Sequence, residues 1–320
     1  MSDIPHVGLS RRQLLRGGLA LAAWTLGPRW VRADEPTEGP WAEQPSEEFW
    51  AEQPPEVPPP SCDPECTRWA LLSDTHIAAD PENRYRGFYP YRNLQEVTGQ
   101  IACDLPDGLI ITGDLARLRG ETAAYENLKT LLNPIAQQRP IHLGLGNHDD
   151  RNDFFQAFGA GCDDAGAVEN KHVIATEMGP VRLIVLDSLL NVNWMTGKLG
   201  PQQRTWLEAV LQTCDDRPTI LFLHHTLNSE LLDMRRLLEI IKPVPKIKAI
   251  VYGHSHKYGY SEVAGIHLIN LPATGFTLTR RQPVGWVEAR LTKDSGEFTL
   301  HAVGGHREND GLTHTLTWRS

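Results

Sequence analysis

Trp69-Ala70-Leu71-Leu72-Ser73-Asp74-Thr75-His76 is an apolar run that stops on a polar cluster, and the same figure recurs along the chain. Leu109–Ile111 runs into Thr112-Gly113-Asp114, and Ile141–Leu145 into Gly146-Asn147-His148-Asp149. Ile220–Leu223 leads to His224-His225, and Ala249–Tyr252 to Gly253-His254-Ser255-His256. Short runs rich in Ile, Leu and Val read as buried strands. Helical stretches fall between them, at about 92–103, 121–138, 201–213 and 229–241. Strands alternating with helices give an α/β layered fold. In open α/β sheets ligands bind beyond the carboxyl ends of the strands, so all five polar clusters are expected on one rim.

What gathers there is two carboxylates, an amide and several imidazoles, with no thiolate. Such a set suits Zn, Mn, Fe or Co rather than Ca or a Cys-rich zinc site. In an extended segment residues i and i+2 point to the same side, so Asp74-x-His76 and His254-x-His256 are expected to approach one metal pair. Gly113, Gly146 and Gly253 each precede a candidate ligand, where a missing Cβ lets the backbone come close. Asp187, at the end of the run Val181–Leu186, has a packing role and a site role equally open to it.

In this order the five motifs resemble those of the calcineurin-like metallophosphoesterases, most of all the branch with class III cyclic-nucleotide phosphodiesterases. The resemblance covers about residues 67–275 and implies a four-layer α/β/β/α sandwich, two mixed sheets face to face with helices outside. It implies one metal held by Asp74, His76 and His256, a second by Asn147, His224 and His254, and Asp114 between them. The implied cofactors are two divalent or trivalent transition-metal ions, Fe, Mn, Zn or Co. The implied reaction is hydrolysis of a phosphodiester, with a phosphomonoester as the alternative, by a hydroxide bridging the pair. His148 would serve the leaving-group oxygen and Asp149 would fix its tautomer. His225 is the ligand instead if the strand slips by one residue. The family's fourth motif uses the first His after the strand, which favours His224 and leaves His225 beside the substrate.

Other histidines lack this context. His142 lies inside a strand and is expected to be structural; His172, His267, His301, His306 and His314 are expected to be structural or exposed. Purple acid phosphatases carry a Tyr three residues after the second-motif Asp, but here Arg117 stands in that place, which argues against a purple Fe(III) enzyme. The insert Asn83-Arg84-Tyr85-Arg86-Gly87-Phe88-Tyr89-Pro90-Tyr91-Arg92 follows the first motif. Arg84 and Arg86 either clamp a substrate phosphate, with the aromatics stacking on a flat group, or pack on their own domain. Near the C-terminus Val284–Leu291, a turn at 292–297 and Phe298–Val303 read as a hairpin that completes the second sheet; residues 304–320 carry weak signals.

The N-terminal part reads as an address and a tether. Ser10-Arg11-Arg12-Gln13-Leu14-Leu15-Arg16 precedes a short apolar segment, Gly17–Leu26, and resembles a twin-arginine export signal, with cleavage after Ala33. The expected partner is the twin-arginine export machinery, and the expected location periplasmic or otherwise extracytoplasmic. Residues 34–65 form an acidic Pro-rich linker in which Trp41-Ala42-Glu43-Gln44-Pro45 is echoed at Trp50-Ala51-Glu52-Gln53-Pro54, as a docking motif or by slippage. The catalytic domain is expected over 66–320. Five cysteines leave at least one unpaired within the chain; Cys62 and Cys66 can close a small loop in an oxidising compartment.

Composition excludes several classes. The 320 residues are 40% hydrophobic and 22% charged, without the run of about 20 apolar residues a membrane span needs. A formal charge of −9 leaves no extended nucleic-acid surface, which weakens a nuclease reading. Residues 1–33 hold five Arg and one Asp, so without them the charge is −13; eight of the acids lie in 34–61, and the remainder is near −5. The substrate is expected to be a small phosphate ester: cyclic or extracytoplasmic nucleotides, glycerophosphodiesters, phospholipid head groups or teichoic-type polymers. A non-catalytic scaffold on the same fold is the rival, although none of the motif residues is missing.

Overall fold

The computed structural model describes residues 65–159, 168–228 and 230–320. The export signal, nearly all of the linker, Cys62 and Cys162 lie outside the described residues. In chain order the first half runs β1 (Cys66–Leu72), α1 (Pro90–Cys103), β2 (Gly108–Ile111), α2 (Thr122–Ala136), β3 (Ile141–Leu143) and α3 (Arg151–Phe158). Then follow β4 (Ile174–Met178), β5 (Val181–Val185), α4 (Pro201–Thr213), β6 (Thr219–Phe222), α5 (Met234–Ile241) and β7 (Ile247–Tyr252). The remainder is strand: β8 (Gly259–Val263), β9 (Ile266–Asn270), β10 (Pro283–Thr292), β11 (Ser295–Gly305) and β12 (Thr313–Thr317).

Among the described residues these strands form two six-stranded mixed sheets, ordered β12-β11-β10-β1-β2-β3 and β4-β5-β6-β7-β9-β8. The period-two alternation of side chains sorts each strand between layers. Trp69 and Leu71 of β1 and Ile110 of β2 point inward and meet Leu183, Val185, Phe222 and Val251 of the other sheet. Their neighbours Ala70, Leu72, Leu109 and Ile111 point outward, under Leu94, Val97 and Ile101 of α1 and Leu128, Leu132 and Ile135 of α2. On the far side Ile184, Leu221 and Ile250 lie under Leu207, Val210 and Leu211 of α4 and Leu237 and Ile241 of α5. The result is the α/β/β/α sandwich, with three apolar interfaces. Full burial of one such Leu or Phe contributes about 1.5–3 kcal/mol.

Four details differ from the sequence reading. The C-terminal hairpin joins the first sheet rather than the second, because β10 pairs antiparallel with β1, Leu71 opposite Val287 and Cys66 opposite Thr292. That edge of β1 has to be covered: β1 pairs with parallel β2 on its other side only, and a buried strand cannot leave its N–H and C=O groups unpaired. The hairpin turn is also tighter, with strands running to Thr292 and from Ser295. Finally α5 begins at Met234, and α3 was not anticipated, although Asp150 caps it by accepting from the N–H groups of Asn152 and Asp153.

Candidate metal centre

The chain turns sharply where β1, β2 and β7 end. Asp74, His76, Asp114, His254 and His256 all adopt left-handed backbone, with φ of 52°, 47°, 52°, 67° and 50°. Left-handed conformations are costly outside glycine and persist where the surroundings over-determine them. Here the surroundings are backbone bonds between the loops: Asp74 N–H to the Gly113 carbonyl at 3.0 Å and His76 N–H to the Asp114 carbonyl at 2.9 Å. The motif segments are therefore not extended, and the i, i+2 argument is replaced by a pair of tight turns that aim alternate side chains inward. Glycine permits the closest approaches. A Cβ on Gly146 would run into Asp114, and one on Gly253 into Ser73 and Asp74.

Each carboxylate divides its oxygens between scaffold and site. Asp74 Oδ2 accepts from Ser73 Oγ at 2.5 Å and from the His254 N–H at 3.0 Å, while Asp114 Oδ1 accepts from the His148 N–H at 2.8 Å. The other oxygens face imidazoles: Asp74 Oδ1 is 3.3 Å from His256 Nε2, and Asp114 Oδ2 is 3.3 Å from His224 Nε2 and 3.7 Å from His76 Nε2. His76 Nε2 and His256 Nε2 stand 3.1 Å apart, and His256 Nδ1 donates to the Phe276 carbonyl at 2.7 Å, which turns Nε2 into a lone pair aimed at that gap. Ligand atoms of Asp74, His76 and His256 lie within 4.8 Å of one another, as do those of Asp114, His224 and His254.

These residues fit metal ions. Asp74 Oδ1, Asn147 Oδ1, His224 Nε2 and His254 Nε2 are buried without a hydrogen-bond partner among the described residues. An unsatisfied buried polar atom costs about 1–3 kcal/mol, and a cation held between such atoms removes that cost. Charge is arranged to match. Burial opposes ionisation of Asp74 and Asp114, but the imidazoles of His256 and His224 for the first, and of His224 and His76 for the second, hold both carboxyls below the usual range. Burial brings His76 down to about 3, so it stays a neutral ligand. His224 is also buried, yet Asp114 and Asp74 hold it up at about 9.

The pairing expected between His148 and Asp149 is absent. Asp149 is fully buried and accepts from the N–H groups of Leu115, Ala116 and Gly146 at 3.1, 3.0 and 2.9 Å and from Tyr125 OH at 3.2 Å. It pins the loops after β2 and β3 together. His148, its neighbour in sequence, points the other way, and its Nδ1 lies 3.1 Å from the Leu118 carbonyl and 2.9 Å from Asn193 Oδ1. Asn193 escaped the sequence reading, being far from any motif; its left-handed φ of 63° is the kind of turn Asn favours. Glu230, also unanticipated, brings Oε2 to 3.8 Å from His254 Nε2.

The remaining candidates separate. His225 is wholly buried, its Nδ1 2.8 Å from Ser188 Oγ and its ring 4.9 Å from that of His254. His142 stacks on Trp69 at 5.6 Å between strands. Asp187 is a brace: it accepts from Arg151 Nε at 2.6 Å, from the His172 N–H at 3.0 Å and from the Leu189 N–H at 2.9 Å. Arg84 and Arg86 are exposed, standing over Tyr89 at 5.7 Å and Tyr85 at 5.5 Å, and neither joins the convergent group. Arg117 stacks on Tyr85 at 3.9 Å; Tyr85 meets Phe276, which packs on His76 and His256 at 4.7 and 4.6 Å.

The sequence matches the calcineurin-like phosphoesterase family over residues 67–258. It is 27% identical over 216 residues to a glycerophosphodiester phosphodiesterase of Enterobacter lignolyticus, covering 64% of this chain and 76% of that one. It is 30% identical over 218 residues to a cAMP/cGMP dual specificity phosphodiesterase of Mycobacterium tuberculosis, covering 64% of this chain and 67% of that one. Its fold resembles that of a dimetal phosphatase from Danio rerio, with a TM-score of 0.63, 16% identity and coverage of 79% of this chain and 99% of that one. By that family match, over a site of paired Asp and His groups that fits two metal ions, the chain belongs to the calcineurin-like phosphoesterases, metal-dependent hydrolases of phosphate esters.

Proposed function

We propose that the protein hydrolyses a small phosphodiester at a binuclear centre in which Asp74, His76 and His256 hold one ion, Asn147, His224 and His254 the other, and Asp114 reaches both. The observation that carries this is the convergence of two ligand groups in which Asp74 Oδ1, His224 Nε2 and His254 Nε2 are buried without a hydrogen-bond partner among the described residues. When bound, two such ions supply positive charge to the phosphoryl oxygens and make water a nucleophile near neutral pH. The chain's own residues do the rest. Asp114 keeps one oxygen on the His148 N–H and leaves the other for the ions. His148, with its Nδ1–H engaged, serves as an imidazolium: its Nε2–H passes its proton to the departing ester oxygen as the P–O bond breaks, leaving the neutral Nδ1–H ring. Tyr85 and Phe276 form an aromatic wall beside His76 and His256, and Arg84 and Arg86 lie at its exposed end as contacts for a charged substrate.

Two relatives named as phosphodiesterases support the diester over the monoester. The twin-arginine motif supports export, which directs the enzyme to extracytoplasmic diesters. The test is elemental analysis of the purified protein, followed by a panel of phosphomonoesters, bis-p-nitrophenyl phosphate and cyclic nucleotides. Asp114→Ala and His254→Ala are expected to abolish turnover while keeping the fold. Near-wild-type turnover in either overturns the metal assignment, and a metal-replete but inactive wild type favours a scaffold. Changing Arg11 and Arg12 to Lys is expected to hold the protein in the cytoplasm on cell fractionation; unchanged distribution overturns export by this route.

A further inference from the structure

We propose that Asn193 is a positioning residue for the reaction, fixing the tautomer and aim of His148 together with the Leu118 carbonyl; the assignment rests on the role given to His148 above. His148 Nδ1 faces two oxygens, the Leu118 carbonyl at 3.1 Å and Asn193 Oδ1 at 2.9 Å. A carbonyl only accepts, so Nδ1 must carry the proton, and the Asn193 amide must then turn its oxygen toward the ring. With Nδ1–H shared between two acceptors, the ring cannot flip without losing both, and Nε2 is left as the working atom.

The mounting of Asn193 matches that task. Its own N–H donates to the Asn147 carbonyl at 2.6 Å, so one residue grips both the backbone just ahead of His148 and the ring of His148. Its loop is anchored at both ends. Lys171 Nζ donates to the carbonyls of Asp187, Leu189 and Lys198 at 3.0, 2.9 and 3.0 Å, and the Lys198 N–H returns to the Ser188 carbonyl at 2.8 Å. The turn stands in left-handed backbone that Gly and Asp also tolerate. Asn193→Gly therefore removes the side chain without straining the turn, and Asn193→Asp keeps an acceptor in place.

The experiment compares the metal-loaded full-length enzyme with Asn193→Gly, Asn193→Asp, His148→Gln and the Asn193→Gly/His148→Gln double variant. The substrates are bis-p-nitrophenyl phosphate, with a good leaving group, and diphenyl phosphate, with a poor one. For Asn193→Gly, kcat is expected to fall no more than about threefold on the first and about thirtyfold on the second, less than the roughly 10²–10⁴-fold of general acid catalysis as a whole because the acid is disordered rather than removed. KM and metal content stay unchanged, Asn193→Asp restores kcat, and Asn193→Gly adds nothing once His148 is Gln. In the zinc-loaded protein, the ¹⁵N-bound imidazole proton of His148 is expected to be visible by NMR and lost to exchange in Asn193→Gly. Equal losses on both substrates, a further loss in the double variant, or an unchanged imidazole signal overturns the proposal. If His148→Gln turns over both substrates at the wild-type rate, the role of His148 itself falls and takes this one with it. A normal Asn193→Gly beside an impaired His148→Gln overturns the Asn193 assignment alone.

Discussion

The backbone N–H of His254 donates to Asp74 Oδ2 at 3.0 Å, joining residues 180 apart in the chain. Asp74 follows β1 in one sheet and His254 follows β7 in the other, so this bond crosses the sandwich at its rim. It also commits one carboxylate oxygen to the scaffold and frees Oδ1 for an ion.

Ser73 completes that arrangement, because Thr112 Oγ1 donates to Ser73 Oγ at 2.7 Å and Ser73 Oγ in turn donates to Asp74 Oδ2. Ser73→Ala removes this support while leaving every ligand. Metal affinity is expected to fall about 10–100-fold, the usual cost of losing a group that orients a ligand, with the denaturation midpoint little changed. Chelator competition on the purified variant measures it.

Gly253→Ala places a methyl group against Ser73 and the Asp74 carboxylate, both fully buried. The site has no room to yield without moving a ligand. A stability loss of about 1–3 kcal/mol by urea denaturation is expected, together with loss of metal content. A variant of normal stability and full metal content contradicts the tight crossing of the two loops.

Asp149 gives the metal-free protein a pH signature. Burial, with the nearby Asp114 charge, pushes its carboxyl up to about 6, against the bonds from Gly146, Ala116 and Leu115 that favour ionisation. The folded state holds this proton more tightly than the unfolded chain, whose Asp titrates near 3.8. The contribution is thus fully present below about pH 4 and is lost as pH rises through about 6, amounting to about 3 kcal/mol. Urea denaturation of metal-stripped protein at pH 4 and pH 7 is expected to show this loss, and Asp149→Asn to reduce the difference between the two.

Asp187 is wholly buried and relies on Arg151, with Lys171 Nζ 3.6 Å away. Arg151→Met leaves that carboxylate short of its main partner. A loss of about 3 kcal/mol is expected, since breaking a buried pair exposes an uncompensated charge. Because Asp187 opens the loop that carries Asn193, turnover is expected to drop as well. Thermal and urea denaturation beside steady-state kinetics test both.

The strand-end motifs were legible because each apolar run and its polar terminus are contiguous, so Asp74, His76, Asp114, Asn147, His148, His224, His254 and His256 could be placed on one rim from order alone. What contiguity does not encode was missed. Asn193 reaches His148 across 45 residues, and adjacency suggested Asp149 instead, which the turn sends to the opposite side. The hairpin of Val284–Leu291 and Phe298–Val303 was visible as a hairpin, but which sheet it joins depends on the free edge of β1, a property of the assembled sheet. β4 and β12 carry Thr, Glu and His at positions that a lone strand reading discounts, and their partners supply the order.

The crossing of Asp74 and His254 also fixes a sequence of events in time. The first ligand to leave the ribosome is Asp74 and the last is His256, and β1, which bears the former, has its edge covered only when residues 283–292 arrive. No N-terminal fragment ending before His254 holds all the proposed ligands of either ion. On the ligand assignment proposed above, neither ion meets its full set of ligands until most of the chain has been made.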